Sequence, residues 1–443
     1  MKLWQKDKTT SAAVELFTAG KDRVMDIYLA PFDVLGSLAH IKMLQKVGLL
    51  SKEELVLLES GLKEIYQEII QGNFKLDDGV EDIHTQVEMM LTLRLGDTGK
   101  KIHSARSRND QVLVDLKLFF RSEIENLVDE VIKLFNLLLV QSEKYKDDFL
   151  PGYTHLQLAM PSSFGLWFGA YAESLVDDLL TLEAAYRVVN KNPLGSAAGY
   201  GSSFPIDRQL TTDLLGFESM NYNVVYAQMG RGKTEKIIAA ALANIGATLA
   251  KLCMDACLYL NPDFAFISFP DELTTGSSIM PHKKNPDVFE LIRSYGNRLQ
   301  ALPNEIMLMT ANLPSGYHRD LQLIKEHIIP AFEDLKSCLA MICLMLENIS
   351  VKKDILKEEK YRFLFSVEEV NKLVARGTTF RDAYKMIASD IEQNSFSCSG
   401  EIMHTHQGSM GNLCNAEIRQ LMEDVVQKFN FSKSKIALKQ LLD

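Results

Sequence analysis

Between Thr274 and Asp287 the chain reads Thr-Thr-Gly-Ser-Ser-Ile-Met-Pro-His-Lys-Lys-Asn-Pro-Asp, its densest run of reactive side chains. Ser277, Ser278, His282, Lys283, Lys284 and Asn285 crowd hydroxyl, imidazole, ammonium and amide groups into one segment, and Gly276 adds backbone freedom. On residue types alone this composition suits phosphate binding, carboxylate binding or an ordinary polar turn. Asn285 followed by Pro286 reads as an N-cap and first helical residue.

Three further segments concentrate polar chemistry. His103-Ser104-Ala105-Arg106-Ser107-Arg108-Asn109-Asp110-Gln111 sets two arginines and an amide before a long helical pattern. That arrangement fits carboxylate recognition and equally fits anchoring of one helical unit to another. Pro151-Gly152-Tyr153-Thr154-His155-Leu156-Gln157 holds an isolated histidine, a residue more often structural than catalytic. Leu313-Pro314-Ser315-Gly316-Tyr317-His318-Arg319-Asp320-Leu321-Gln322 precedes Lys325.

The elements that must position these segments are helices. Gln111–Tyr145 bears Val112, Leu116, Phe119, Phe120, Leu127, Val131, Leu134, Phe135 and Leu138 on more than one helical face, so that helix is buried on several sides. Similar runs recur at 164–189, 233–260, 288–310 and 323–349, the last with Pro330 as a kink site. Short helices come before them, with Leu35, Leu38, Ile41 and Leu44 on one face and Ser51 to Glu54 as a capping box. Small helices follow Lys352, one opening at Ser366 and closing at Gly377, the next starting near Thr379. The Gly- and Ser-rich stretch 192–205 leaves room for short strands. The expected fold class is therefore all-α: an N-terminal helical domain (1–107), a central bundle of five long helices (108–352) and a small C-terminal helical domain (353–443). Helices this long leave broad apolar stripes, which predicts that the bundles of several chains pack together in a closed symmetric oligomer, the alternative being a monomeric bundle.

A net charge of -10 and a pI near 5.5 argue against a nucleic-acid or anionic-membrane surface. The six cysteines show neither Cys-x-x-Cys pairs nor histidines at metal spacing, so free thiols in a reducing compartment are expected. The start lacks the apolar core of a signal peptide, and no segment reads as a membrane span of about 20 residues. These features predict a cytoplasmic protein, and no motif in the chain calls for a cofactor or a metal.

The run Gly276-Ser277-Ser278-Ile279-Met280-Pro281-x-Lys283-x-Asn285-Pro286 resembles the signature loop of the fumarase/aspartase superfamily of lyases. In combination, the four segments resemble the argininosuccinate lyase family, and with the helical order the likeness spans almost the whole chain. The resemblance implies reversible anti-elimination of fumarate from argininosuccinate to leave arginine, in a homotetramer whose sites are each built from three subunits. It implies Ser277 as the base, its alkoxide held by loop amides, and leaves open the reverse assignment with His155 as base and Ser277 as acid; Gly276 and the polar run suggest a lid. It casts Lys283 as the counter-charge to the aci-carboxylate, and His155 paired with Glu290 in acid/base transfer. Asn109 and Thr154 are implied for the succinate part, Asn285 for a carboxylate oxygen, and Tyr317, Gln322 and Lys325 for the arginine part. Arg231 sits where the family has an arginine near its site, in a thinly matching stretch.

The chain also departs from the family. Trp4-Gln5-Lys6-Asp7-Lys8 stands where members read Trp-Gly-Gly-Arg-Phe, Gly20 aligns with a substrate-contacting serine, His282 replaces a glutamine, and Ser104-Ala105 replaces Thr-Gly. Two alternatives accompany the reading: another fumarate-releasing lyase (adenylosuccinate lyase, aspartase or fumarase) and a non-catalytic, crystallin-like structural protein.

Overall fold

The computed structural model describes residues 11–400, 402 and 404–443, so the Trp4–Lys8 departure lies outside the described residues. Five long helices form its centre: α1 (Arg108–Lys144), α2 (Phe164–Val189), α3 (Lys233–Leu260), α4 (Asp287–Met309) and α5 (Ile324–Glu347). The broad apolar surface of α1 is the reason it lies inside. Leu116, Phe119, Phe120, Leu127, Val131, Leu134, Phe135 and Leu138 are all buried, and Phe119 and Phe120 meet Phe332 of α5 at ring distances of 6.1 and 6.2 Å. Burying each such side chain stabilises the fold by about 1.5–3 kcal/mol. α3 and α4 pack backbone to backbone at Gly246 and Gly296, where a Cβ on Gly296 would lie 2.3 Å from the Gly246 carbonyl oxygen. Only glycine fits at that crossing.

The bundle has two distinct ends. At one, Tyr145 Oη just past α1 donates to Ile349 O beyond α5, Gly165 N of α2 donates to Tyr145 O, and Phe269 packs on Phe289 of α4. At the other, the Arg231 guanidinium before α3 donates to Leu321 O before α5, and Gly232 abuts Thr310 after α4. The helices therefore run alternately up and down, and the connecting segments fall at opposite ends.

A hairpin projects from the first end: β1 (Phe149–Thr154) pairs antiparallel with β2 (Gln157–Ser163). Its two-residue turn is His155-Leu156, at φ 54° and 58°, the primed geometry that suits strand twist. One correction to the expected all-helical pattern is this hairpin, which lies outside the stretch 192–205 that left room for short strands. In that region Lys191–Asn192 pairs in parallel with Ser219–Met220, outside most of the Gly/Ser stretch. A second correction concerns membrane-length segments: residues 22–46 and 233–260 are apolar and long enough by composition, and 67% and 61% of their most apolar windows are buried in the chain's own core.

Before the bundle, Ser51 and Glu54 form the expected capping box at the start of Lys52–Ile70. Leu35, Leu38, Ile41, Leu44, Leu58 and Leu62 make a separate hydrophobic cluster that also takes in Phe217 and Leu441, so the last helix, Phe431–Leu442, packs on the N-terminal helices. A small third cluster joins Val370, Ala383 and Ile387 between the helices Ser366–Ala375 and Phe380–Glu392. All six cysteines are free thiols.

Candidate active site

The start of α1 is built by a cap that the residues around Asn109 encode. Ser107 Oγ accepts from Asn109 N at 3.3 Å while the Asp110 carboxylate accepts from Ser107 N at 2.9 Å. The two arginines of this segment serve as anchors. Arg106 donates to Ser37 Oγ at 3.0 Å, and Arg108 pairs with Asp82 and donates to Thr85 Oγ1 at 2.7 Å. Asn109 is left beside a pocket of about 240 Å³ whose lining includes Arg231, Tyr317, Gln322 and Lys325. Four sequence-predicted groups and the thinly supported Arg231 thus meet at one end of the bundle.

Lys325 is 3% exposed, and its ammonium lies 2.5 Å from both Asp22 Oδ1 and Asp26 Oδ1. Burial pulls its pKa down, but Asp26 and Asp22 outweigh burial and the net shift is upward. Gln322 Nε2 donates to Thr18 O at 3.0 Å, tying the same segment to the N-terminal residues. Arg231 pairs with Glu235 at 3.4 Å, Arg319 with Glu81 at 3.5 Å, and His84 with Asp33 at 2.8 Å. Every cation lining this pocket therefore already has a carboxylate partner in the same chain.

At the other end, Thr154 and His155 stand exposed on the hairpin, and neither side chain has a hydrogen-bond or ion-pair partner among the described residues. The Thr274–Asp287 loop is closed at its base by Asn285 N donating to Thr275 O at 2.8 Å. Asn285 is not the N-cap of α4: its amide donates to Gly276 O at 3.2 Å, and Pro286 occupies the cap position. Closing the loop base takes the side chain that a cap would need. Ser277 Oγ accepts from Ile279 N at 3.4 Å and Met280 N at 3.3 Å. The exposed Lys283 ammonium makes no ion pair among the described residues, whereas Lys284 pairs with Asp271. Gly276 has a negative φ and open space where a Cβ would stand, so this loop conformation does not itself require glycine. Glu290, in the first turn of α4, faces Arg293 at 3.9 Å rather than His155.

The chain thus separates its groups. α4 has 23 residues, about 35 Å at 1.5 Å per residue, and stands between Ser277 and Tyr317. α1 has 37 residues, about 55 Å, and stands between Asn109 and His155. Sequence reasoning missed Asp22, Asp26 and His84 as pocket residues. The available signal was Asp22 and Asp26 four apart on one helical face.

A family model described as "Lyase" matches residues 6–300. The chain belongs to this lyase family. It is 60% identical over 441 residues to the argininosuccinate lyases of Parabacteroides distasonis and Bacteroides thetaiotaomicron, covering 100% of this chain and 99% of each relative. It is 38% identical over 387 residues to that of Thermotoga neapolitana, covering 87% of this chain and 97% of that protein. Within the lyases, the chain is a member of the argininosuccinate lyase family. Solved structures share the fold: EDDS lyase in complex with formate (TM-score 0.75, 20% identity, 98% of this chain and 94% of that one) and the class II fumarase of Schistosoma mansoni (TM-score 0.72, 14% identity, 94% of each).

Proposed function

We propose that this protein catalyses the reversible elimination of fumarate from argininosuccinate to yield arginine, in arginine biosynthesis in the cytoplasm. The observation that carries the proposal is 60% identity, across the whole chain, to proteins named argininosuccinate lyase. In the proposed step Ser277 takes the proton from the carbon next to a carboxylate, and the released electron pair forms the new double bond. The bond to the guanidino nitrogen breaks, and that nitrogen takes a proton from His155, paired with Glu290 of another chain. Lys283 opposes the charge that builds on the aci-carboxylate. Asn109, Thr154 and Asn285 hold the succinate part, while Tyr317, Gln322 and Lys325 hold the arginine part.

Two features support these roles. Ser277 Oγ already accepts from two backbone N–H groups, an arrangement that favours an alkoxide over a hydroxyl. Among the described residues, the pocket at the Asn109 end has no unpaired cation for a dicarboxylate, whereas Lys283 makes no ion pair.

We also propose a homotetramer whose sites are shared between chains. The separation of the two groups along α1 and α4 supports it, as do large apolar side chains left open at the hairpin and loop, with Leu156 78% and Ile279 82% exposed. Antiparallel packing of bundles would bring one chain's hairpin end to another's Asn109 end.

The test is release of fumarate, followed by its ultraviolet absorbance. Purified protein should release it from argininosuccinate and not from adenylosuccinate, aspartate or malate. Turnover of one of the latter would move the chain to another lyase activity; a folded but inert protein would establish the structural alternative.

A further inference from the structure

The segment from Arg319 to Glu326 is bound along its length to the segment from Thr18 to Asp26. Arg319 and Gln322 both donate to Thr18 O at 3.0 Å, Lys21 pairs with Glu326 at 3.3 Å, and Lys325 reaches Asp22 and Asp26. Among these contacts the Lys325 triad lies deepest. Asp26 is 2% exposed and Lys325 3%, whereas the Asp22 side chain keeps 20% of its surface open.

A buried ammonium needs one carboxylate for neutrality, and here it has two. Both aspartates line the pocket with Gln322 and Tyr317, Asp26 as the more enclosed partner and Asp22 as the more open one. With Asp26 as the standing counter-ion, Lys325 is fixed in place and Asp22 is left able to exchange its partner for a group on a bound molecule. The geometry points to Asp26 as a positioning residue for the arginine half of the substrate, acting through Lys325 and Asp22. This rests on the proposed lyase activity and adds a residue that the four motif segments do not contain.

The local physics gives the role its sign. Removing the Asp26 charge leaves Asp22 as the sole counter-ion of a buried lysine, so the two close into a tight pair and Asp22 is withdrawn from the pocket. Ligand binding then has to break that pair. The reacting atoms belong to other groups, so the loss falls on binding and not on the chemical step.

Asp26→Asn preserves size and removes only the charge. The expected result is a KM for argininosuccinate raised by about ten- to a hundredfold, the scale of one charge-assisted hydrogen bond, with kcat within about twofold of wild type. Arginine binding, measured by calorimetry, should weaken by the same factor. Asp26→Glu, which restores the charge, should recover most of the loss, and thermal unfolding of each variant shows whether the fold is intact. An unchanged KM in Asp26→Asn would overturn the inference, and so would an equal fall of kcat and thermal midpoint that Asp26→Glu does not reverse. Wild-type protein inert toward argininosuccinate would overturn the functional reading and this inference with it, which separates that failure from one confined to the variants.

Discussion

His84 Nδ1 lies 2.8 Å from Asp33 Oδ1, with Asp115 Oδ2 at 3.6 Å, and all three side chains are at most 5% exposed. A buried imidazole is ordinarily neutral, since burial disfavours its charge. Here Asp33, Asp82 and Asp115 outweigh that penalty and raise the His84 pKa to about 9. At neutral pH it is an imidazolium clamped beside the pocket.

A pH dependence of stability follows. The folded pKa is raised above the unfolded value near 6.5, so the stabilisation is fully present below about pH 6.5, declines above it, and is gone beyond about 9. Its full size is about 3 kcal/mol, the difference of the two values at 1.36 kcal/mol per unit. Thermal midpoints of wild type and His84→Gln should differ most near pH 6 and converge as the pH approaches 9. A gap that stays constant across that range would show that the clamp does not titrate.

Much of this architecture is legible in the sequence, for a physical reason. A helix buried on several sides writes its own period into the chain, so α1 to α5 begin and end close to where the apolar residues say. The hairpin is not legible: Pro151 and Pro161 interrupt its alternation, Leu156, Leu158 and Met160 are exposed rather than buried, and its turn uses two non-glycine residues at positive φ. Asn109, Tyr317, Gln322 and Lys325 come together through tertiary contacts that no local pattern encodes. The Asp22 and Asp26 partners of Lys325 lie 303 and 299 residues away in the chain, and nothing in either segment names the other.

Packing at the α3–α4 crossing makes a direct prediction. Gly296→Ala places a methyl 2.3 Å from Gly246 O and 3.0 Å from Ala250 Cβ, so the helices have to separate. Overpacking of this kind costs about 1–3 kcal/mol. The thermal midpoint should fall clearly below that of Ala243→Gly, which changes volume by the same methyl on α3 without a backbone clash. Equal midpoints would mean that the crossing relaxes freely.

For the loop, Ser277→Ala removes the acceptor of the Ile279 and Met280 N–H groups and the proposed base together. Turnover of argininosuccinate should fall by roughly 10²- to 10⁴-fold or more, the usual worth of a positioned proton-transfer group. Calorimetric binding of arginine should be nearly unchanged, because the pocket at the Asn109 end is intact. A near-normal rate would remove Ser277 from the chemistry.

The length of α1 separates two kinds of variant. If each site takes Asn109 from one chain and His155 from another, then Asn109→Ala and His155→Ala are each inactive in every site of their own homo-oligomer. Mixed and reassembled together in equal amounts, the two variants yield sites in which each contribution is intact with probability one half. About a quarter of the sites are then wholly wild type, and about a quarter of the wild-type rate should return. The single variants taken through the same denaturation and refolding should remain inactive. A site built within one chain gives no recovery in the mixture, because every chain then carries one of the two lesions. The rate of the mixture, set against its own unmixed controls, therefore reports whether the roughly 55 Å of α1 is bridged by neighbouring subunits.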